Sequence, residues 1–409
     1  MTSTDAMTLA RTRSWSLAAL IASLSMLGPF SIDMYLPALP SIGSALDAPP
    51  IAVQQTLSIY LFAYALMMLW HGALSDALGR RPIVLAGLAI FAVATLGCAI
   101  AGNIESLWLF RAIQGACAGT GLVVGRALIR DRFHGAEAQK LMSQITLVFG
   151  IAPVVAPIAG GLLLTGFGWR AIFWALLAFT LAVLAWAARA MPETLPREAR
   201  HSLAPRALWR NYKAVLSRAD FLLLATIPAL NFAAFFVYIA AAPAFLIDLL
   251  GVSTRGFAWL FVPMIGGIMI GAAISGRLAG RRSPRETIGL GYAIMAAGVV
   301  GSLAASVLAP RFVAWHVAPI MIYTTGSALV MPSITLLMLD LFPSMRGLVS
   351  SLQGFIHFLL SAFNAGTIAP LLARSLFTLA AGMALFALAS FALWRVYQWR
   401  TSTSMKGST

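Results

Sequence analysis

Apolar residues in this chain come in long blocks, separated by short segments that carry nearly all of the charge. Twelve blocks stand out: residues 15–39, 51–73, 83–101, 107–127, 141–164, 169–190, 220–247, 257–278, 287–308, 313–338, 347–371 and 375–397. Each has roughly the twenty residues that a helix needs to cross a hydrocarbon layer. The breaks between them carry turn chemistry or charge, as in Asp47-Ala48-Pro49-Pro50, Gly79-Arg80-Arg81-Pro82 and Gly102-Asn103. The expected fold is an all-α membrane protein of twelve transmembrane helices. Arg11 and Arg13 ahead of the first block imitate a signal peptide. That block runs too long for a signal core and ends without a small-residue cleavage pattern, so it reads as an uncleaved first span.

Composition agrees with the pattern. The chain has 409 residues, of which 60% are hydrophobic and only 10% charged, far below the roughly one quarter usual in soluble domains. The net charge of +15 does not point to nucleic acid, because the basic residues lie in the short connections rather than on one face or in a tail. Cys98 and Cys117 both fall inside apolar blocks and have no metal-ligand spacing, so no metal and no disulfide framework is expected.

Two further features organise the blocks. The longest connection, about Pro192 to Ala219, is basic and contains Pro192, Pro196 and Pro205. It divides the chain into a six-helix half (1–190), a linker (191–219) and a second six-helix half (220–409). A faint repeat supports the division: Gly72-Ala73-Leu74 ahead of Arg80-Arg81 returns half a chain later as Gly276-Arg277-Leu278 ahead of Arg281-Arg282. Alternate connections hold most of the 28 lysines and arginines, whereas Arg170, Arg255, Arg311 and Arg374 fall in the others and Arg111 falls within a block. The positive-inside rule then places both termini and the linker in the cytoplasm.

Of the thirteen acidic residues, Asp33 is the one set well inside a span. An intramembrane carboxylate is costly and usually marks a pathway. Gly28, Pro29 and Pro37 surround it and predict irregular backbone, which is tolerated at that depth where it lines a cavity. Arg111 is expected at a similar depth in the fourth span. If the two spans are neighbours, the acid and the guanidinium would stand at one level. Low polarity opposes ionisation of the acid and the cation favours it, a balance that suits proton exchange. The alternative is an ion pair that only locks two helices together. Gln114, one turn beyond Arg111, shares its helix face and would bond substrate, Asp33 or a neighbouring helix.

The second connection reads Gly72-Ala73-Leu74-Ser75-Asp76-Ala77-Leu78-Gly79-Arg80-Arg81. It resembles the G-x-L-[SA]-D-x-x-G-R-[RK] loop of the major facilitator superfamily. The resemblance implies a role in the conformational switch for Gly72, Asp76, Gly79, Arg80 and Arg81. On physical grounds both glycines would permit close approach or a tight turn, and Asp76 would satisfy helix-terminal amides. Arg111-Ala112-Ile113-Gln114-Gly115 is similar to the superfamily's R-x-x-Q-G motif, which the resemblance ties to proton coupling. Gly150, Pro153, Pro157, Gly160 and Gly161 resemble the antiporter motif with its G-P-x-x-G-G core, although Ala156 replaces the first core glycine. The physical content of that motif is close helix packing. Ser31-Ile32-Asp33-Met34-Tyr35-Leu36-Pro37 and Pro192-Glu193-Thr194-Leu195 look like the bicyclomycin-resistance branch of drug:proton antiporters. That branch implies a proton gradient in place of a cofactor, a drug-like substrate and a bacterial inner membrane. Some related exporters carry a second acid two turns earlier, where this chain has Ser23-Leu24-Ser25-Met26. One proton per cycle and a neutral or weakly charged substrate are therefore expected, from a monomer in the lipid bilayer.

Substrate-cavity candidates are Tyr35 and Gln114 in the first half. In the second half they are Asn231, Phe235, Phe236, Tyr238, Tyr323, Gln353, His357 and Asn364, aromatic and polar groups of the kind that suit an adaptable pocket. An exporter of an endogenous metabolite uses the same parts. A membrane transferase would need clustered acids or a His/Asp pair at the membrane face, and the sequence has neither, so an enzyme is not expected.

Overall fold

The structure, a computed structural model, describes residues 3–133, 135–200, 205–278, 281–343 and 345–406. Side chains at 3–16, 130, 135–140, 142–150, 199, 205, 207 and 403–406 are not among those described. Internal packing divides the chain into two compact units, Met1–Leu203 and Ala204–Thr409. The first holds α1 (Ser3–Asp33), α2 (Leu39–Ala45), α3 (Pro50–Leu78), α4 (Arg80–Ile100), α5 (Ile104–Ala118), α6 (Thr120–Arg132), α7 (Gly135–Phe167) and α8 (Arg170–Ala190). The second holds α9 (Pro205–Leu216), α10 (Ala219–Ala240), α11 (Ala258–Leu278), α12 (Pro284–Leu308), α13 (Val313–Asp340), α14 (Arg346–Phe363), α15 (Ala369–Leu372) and α16 (Leu376–Lys406). Among the described residues, 11 helical stretches are long and apolar enough to cross a membrane, and the apolar part of α7, Ile151–Phe167, is a shorter twelfth.

Helix starts follow from local chemistry. Pro49 and Pro50 open α3. The Asn103 side chain accepts the Ser106 amide at 2.8 Å to cap α5. Ser283 and Glu286 form a reciprocal capping box at the start of α12. Gly79, at φ 105°, makes the one-residue corner between α3 and α4, a backbone conformation that side chains resist.

Several spans are not single helices. α1 stops at Asp33, turns through Met34 and Tyr35, makes a tight 3-10 turn at Leu36–Ala38 and resumes as α2. The crossing therefore reaches Ala45 rather than 39, and Asp33 lies near its middle. The fourth span divides at Gly119 into α5 and α6, and it starts earlier than its apolar block, at Ile104. A π-helical turn at Ala244–Leu249 follows the seventh span, and another at Asn364–Ile368 interrupts the eleventh. Wide turns of this kind are rare and recur at functional sites. They leave no periodicity signal that the apolar blocks reveal.

Glycines set how closely the helices pack. A side chain at Gly115 would run into the Tyr60 carbonyl, so α5 lies directly against α3 there. Gly160 of α7 faces the Met34 carbonyl in the same way, at the break after α1. In the second unit Gly267 and Gly271 of α11 sit on the Met321 and Thr325 carbonyls of α13. Small residues are what let membrane helices approach this closely. Gly72 differs from expectation: nothing lies within 4 Å of where a side chain would project, so it supports no close approach.

Gly115→Val places atoms on a carbonyl that cannot withdraw. It is expected to destabilise the protein by about 1–3 kcal/mol. Gly72→Ala is expected to be neutral or to gain up to about 1 kcal/mol from helix propensity. Unfolding temperatures of the two purified variants in detergent check both.

Candidate functional site

Termination of α1 at Asp33 leaves the last carbonyls of that helix without intrahelical partners. The Ser31 carbonyl finds one: Arg111 Nη1 donates to it at 2.9 Å. The same nitrogen donates to Gln114 Oε1 at 2.6 Å, and Gln114 Nε2 donates to Thr95 Oγ1 at 2.8 Å. The guanidinium lies 4.3 Å from the Tyr60 ring centre and 4.7 Å from that of Tyr35. Tyr60 Oη bonds Ser31 Oγ at 2.6 Å, and Tyr35 Oη bonds Thr56 Oγ1. Arg111 and Gln114 are fully buried. Thus α1, α3, α4 and α5 together build an aromatic and polar cradle around one cation.

Asp33 is only 6% exposed. The expected stacking of Asp33 on Arg111 does not occur: no ion pair within 4.0 Å joins them, and among the described residues no donor bonds the Asp33 carboxylate. The break explains why. It leaves the Ser31 carbonyl without an intrahelical partner, so a backbone oxygen accepts from Arg111 in the place foreseen for the acid. Arg111 Nε and Nη2 are buried without a hydrogen-bond partner. The buried acid therefore stands unpaired two residues along α1 from the Ser31 carbonyl, which the partly satisfied Arg111 of α5 uses instead. Gln114 likewise bonds Arg111 and Thr95 rather than Asp33. Ser31, which opens the quoted Ser31–Pro37 run, belongs to the cradle, as do Thr56, Tyr60 and Thr95, which had no distinguishing signal in the sequence, since each is an ordinary helix residue until its rotation about the axis is known.

The loop between α3 and α4 forms a second cluster. Arg80 Nη1 bonds Asp76 and, at 2.6 Å, Ser75 Oγ; its Nε bonds Asp131 Oδ2 at 3.0 Å. The Glu193 carboxylate accepts the Arg80 and Arg81 amides at 3.1 and 3.3 Å, and Arg200 lies 3.6 Å from it. The amides at the start of α4 are therefore satisfied by Glu193 and not by Asp76. Asp76 pairs with Arg80 instead. Arg81 Nη2 reaches the Ala188 carbonyl at 2.6 Å. Asp131, in a charged stretch at the end of α6, was not singled out from sequence. Pro153, Pro157, Gly160 and Gly161 lie on the apolar part of α7, with Gly160 against the α1 break. Gly150 is helical, but its surroundings lie outside the described side chains.

The second-half candidates divide into two groups. Tyr238, Tyr323 and Asn364 are buried and engaged: Tyr238 Oη bonds Ser302 Oγ at 3.0 Å, Tyr323 donates to the Asn231 carbonyl at 3.3 Å, and Asn364 Nδ2 donates to the Ala233 carbonyl at 2.8 Å. Asn364 begins the π-helical turn, and its Oδ1 is unpartnered. Asn231 is buried on α10. Phe232, not singled out earlier, is the hub of the other group. Its ring stacks on Phe236 at 5.1 Å, meets Phe235 at 4.8 Å and faces His357 at 4.4 Å. Gln353 is partly exposed on α14, with Nε2 3.4 Å from Thr335 Oγ1. Among the described residues no His/Cys/Asp/Glu group is arranged to hold a metal.

The sequence profile of the Major Facilitator Superfamily matches residues 21–365. The chain belongs to that superfamily. Curated relatives include a bicyclomycin resistance protein homolog of Haemophilus influenzae, 29% identical over 90% of this chain and 94% of the relative. A chloramphenicol resistance protein of Pseudomonas aeruginosa is 31% identical over 77% of this chain and 75% of its own length. Multidrug resistance protein MdtL of Escherichia coli is 31% identical over 60% and 61%. Among solved structures, a D-xylose-proton symporter aligns with a TM-score of 0.72 at 17% identity, over 93% of this chain and 97% of that one. The human organic anion transporter MFSD10 aligns at 0.66 and 18%, over 93% and 99%. Those two likenesses fix the superfamily fold, an all-α multi-pass membrane protein.

Arg111 gives a sharp stability test. Replacing a buried, incompletely paired ion by an apolar residue of similar volume is often neutral or stabilising, whereas removing one member of a satisfied buried pair costs about 3–5 kcal/mol. Arg111→Met is expected to unfold within about 1 kcal/mol of the wild type, or above it. Thermal unfolding of the purified variant measures this, and a loss in the larger range would make Arg111 a helix lock.

Proposed function

We propose that this chain is a proton-coupled antiporter that exports small, mostly apolar or neutral compounds, antibiotics among them, by alternating access. The observation that carries the reading is the Asp33 carboxylate, buried in mid-span at a helix break and without a hydrogen-bonding partner among the described residues, beside a cation that is itself incompletely satisfied. A lone carboxylate held within a span is costly and marks a pathway, and carrying a proton is the task such a group can perform there. Proton uptake and substrate binding then oppose each other, which gives the cycle its direction. The names of the bicyclomycin, chloramphenicol and multidrug resistance relatives support export of drug-like compounds.

The remaining parts take roles around that step. Asp33 exchanges the proton, and Arg111, held by Tyr35, Tyr60 and Gln114, tunes it. The Phe232, Phe235, Phe236 and His357 cluster, with Gln353, offers aromatic surface and a few polar groups to substrate. The Asp76–Arg80–Asp131 cluster with Gly79, Arg81 and Glu193 acts in the conformational switch. The protein works as a monomer in the bacterial inner membrane, with both termini cytoplasmic, as the distribution of arginine and lysine favours. The proton gradient is the sole energy source, and no cofactor takes part.

Asp33→Asn keeps the size of the side chain and removes its proton chemistry. Efflux of antibiotic or dye from cells lacking their own pumps is expected to fall to the level of uncoupler-treated cells, while the variant remains in the membrane at wild-type amount. Unchanged uncoupler-sensitive efflux would remove Asp33 from the mechanism.

A further inference from the structure

The short helix α9 lies outside everything assigned so far. Its twelve residues, Pro205–Leu216, contain no acid. At 100° per residue, Leu208, Tyr212, Val215 and Leu216 share one side, Arg206, Arg210 and Lys213 share another, and Trp209 lies at their border. The structure uses the first side for packing: Val215 is fully buried, and Leu208 and Tyr212 are partly so. Arg206, Arg210 and Lys213 are exposed, and Trp209 is 69% exposed. A large indole left in the open beside three cations is not explained by packing.

Position supplies the rest. Only Ser217 and Arg218 separate α9 from the span α10. Arg218 is fixed, with Nη1 donating to the Leu341 carbonyl at 3.1 Å and its guanidinium 5.1 Å from the Phe342 ring centre. α9 is therefore held at the level where α10 enters the membrane. Asp220, the nearest acid in sequence, is already paired with Arg400 Nε at 3.1 Å. That pair brings the end of α16 to the same level, and Trp399, the residue before Arg400, is 67% exposed. Exposed tryptophans at a span entrance mark the headgroup boundary, and lysines and arginines on an amphipathic helix beside them select anionic lipid.

We propose that α9 is an interfacial anchor whose Arg206, Arg210 and Lys213 dock on the phosphate headgroups of anionic phospholipid while Trp209 inserts at the headgroup–acyl boundary. Free soluble anions would satisfy the cations but leave the indole in water. An acidic protein partner would not need the indole at membrane depth.

The test uses the full chain in nanodiscs of phosphatidylcholine containing increasing phosphatidylglycerol, with bromine on shallow acyl positions of one lipid or the other. The Trp209 signal is the fluorescence difference between wild type and Trp209→Phe. It is expected to be quenched by brominated phosphatidylglycerol at a low mole fraction, and less so in 0.5 M salt. The triple variant R206Q/R210Q/K213Q is expected to need roughly tenfold more of that lipid for the same quenching. Circular dichroism and a monodisperse elution profile identify any misfolded variant. Trp209 left unquenched by either lipid would overturn the proposal, as a site in water or under a protein partner. Equal quenching by both lipids, unaffected by the triple variant, would overturn it as an anchor blind to charge.

Discussion

The Ser31 carbonyl is the one backbone group among the described residues that the Arg111 guanidinium bonds, beside Gln114, and several elements of the first unit meet to make that contact possible. The carbonyl is available because α1 ends two residues later, at Asp33. The guanidinium reaches it because Gly115 brings α5 against the Tyr60 backbone. Tyr60 then covers one side of the cation and fixes the Ser31 hydroxyl, while Tyr35, displaced by the turn after Asp33, covers another. Gly160 of α7 closes against the Met34 carbonyl from outside the cradle. Motifs that look independent along the chain, the proline-flanked acid, the R-x-x-Q-G run and the glycine-rich α7, therefore converge on one helix break. Any one of them would lose its physical reason without it.

That convergence explains why the presence of these charges within spans was readable from the sequence and their partnership was not. The twelve apolar blocks, and the rarity of Asp33 and Arg111 within them, follow from the cost of polar groups in hydrocarbon, which acts on each residue separately. Pairing depends on helix rotation and on where the backbone is interrupted, and neither is encoded in hydropathy. The first block stops at residue 39 because the 3-10 turn and α2, with Pro37 and Pro40 in them, do not look like a continuing span. Thr56, Tyr60 and Thr95 are common helix residues, and only their common orientation gives them a role. Phe232 was passed over for the same reason, although its neighbours Asn231, Phe235 and Phe236 were chosen.

The α3–α4 loop shows a different limit. Its spacing was recognisable, and Gly79 does make the corner that the spacing implied. The assignment of its charges was not recoverable, because the anion capping α4 comes from Glu193, more than a hundred residues away. A local reading supplies the nearest acid, Asp76, for the nearest amides. The fold supplies a distant acid for the amides and turns Asp76 to the guanidinium. Pro192-Glu193-Thr194-Leu195 was visible as a sequence signature, and its carboxylate now has a structural task. Asp131, between two arginines, was masked by the basic connection around it.

The two clusters also differ in how fully their charges are satisfied. Arg80 bonds two carboxylates and a hydroxyl, and the amides beside it have their own acceptor, while Arg81 and Arg200 each keep a buried Nε without a partner. Arg111 has one bonded nitrogen and two without partners, with an unpaired acid on α1, the helix whose Ser31 carbonyl it bonds. A buried charge left incomplete carries a free-energy cost that full pairing would relieve. Within α1 the relief is close at hand, since Asp33 is two residues from the carbonyl that Arg111 uses. The guanidinium bonds the Ser31 carbonyl instead, and no ion pair joins it to the acid. A permanently closed pair would fix the charge of the acid, whereas a separated one leaves it free to change, and that freedom is what a cycle driven by protons requires.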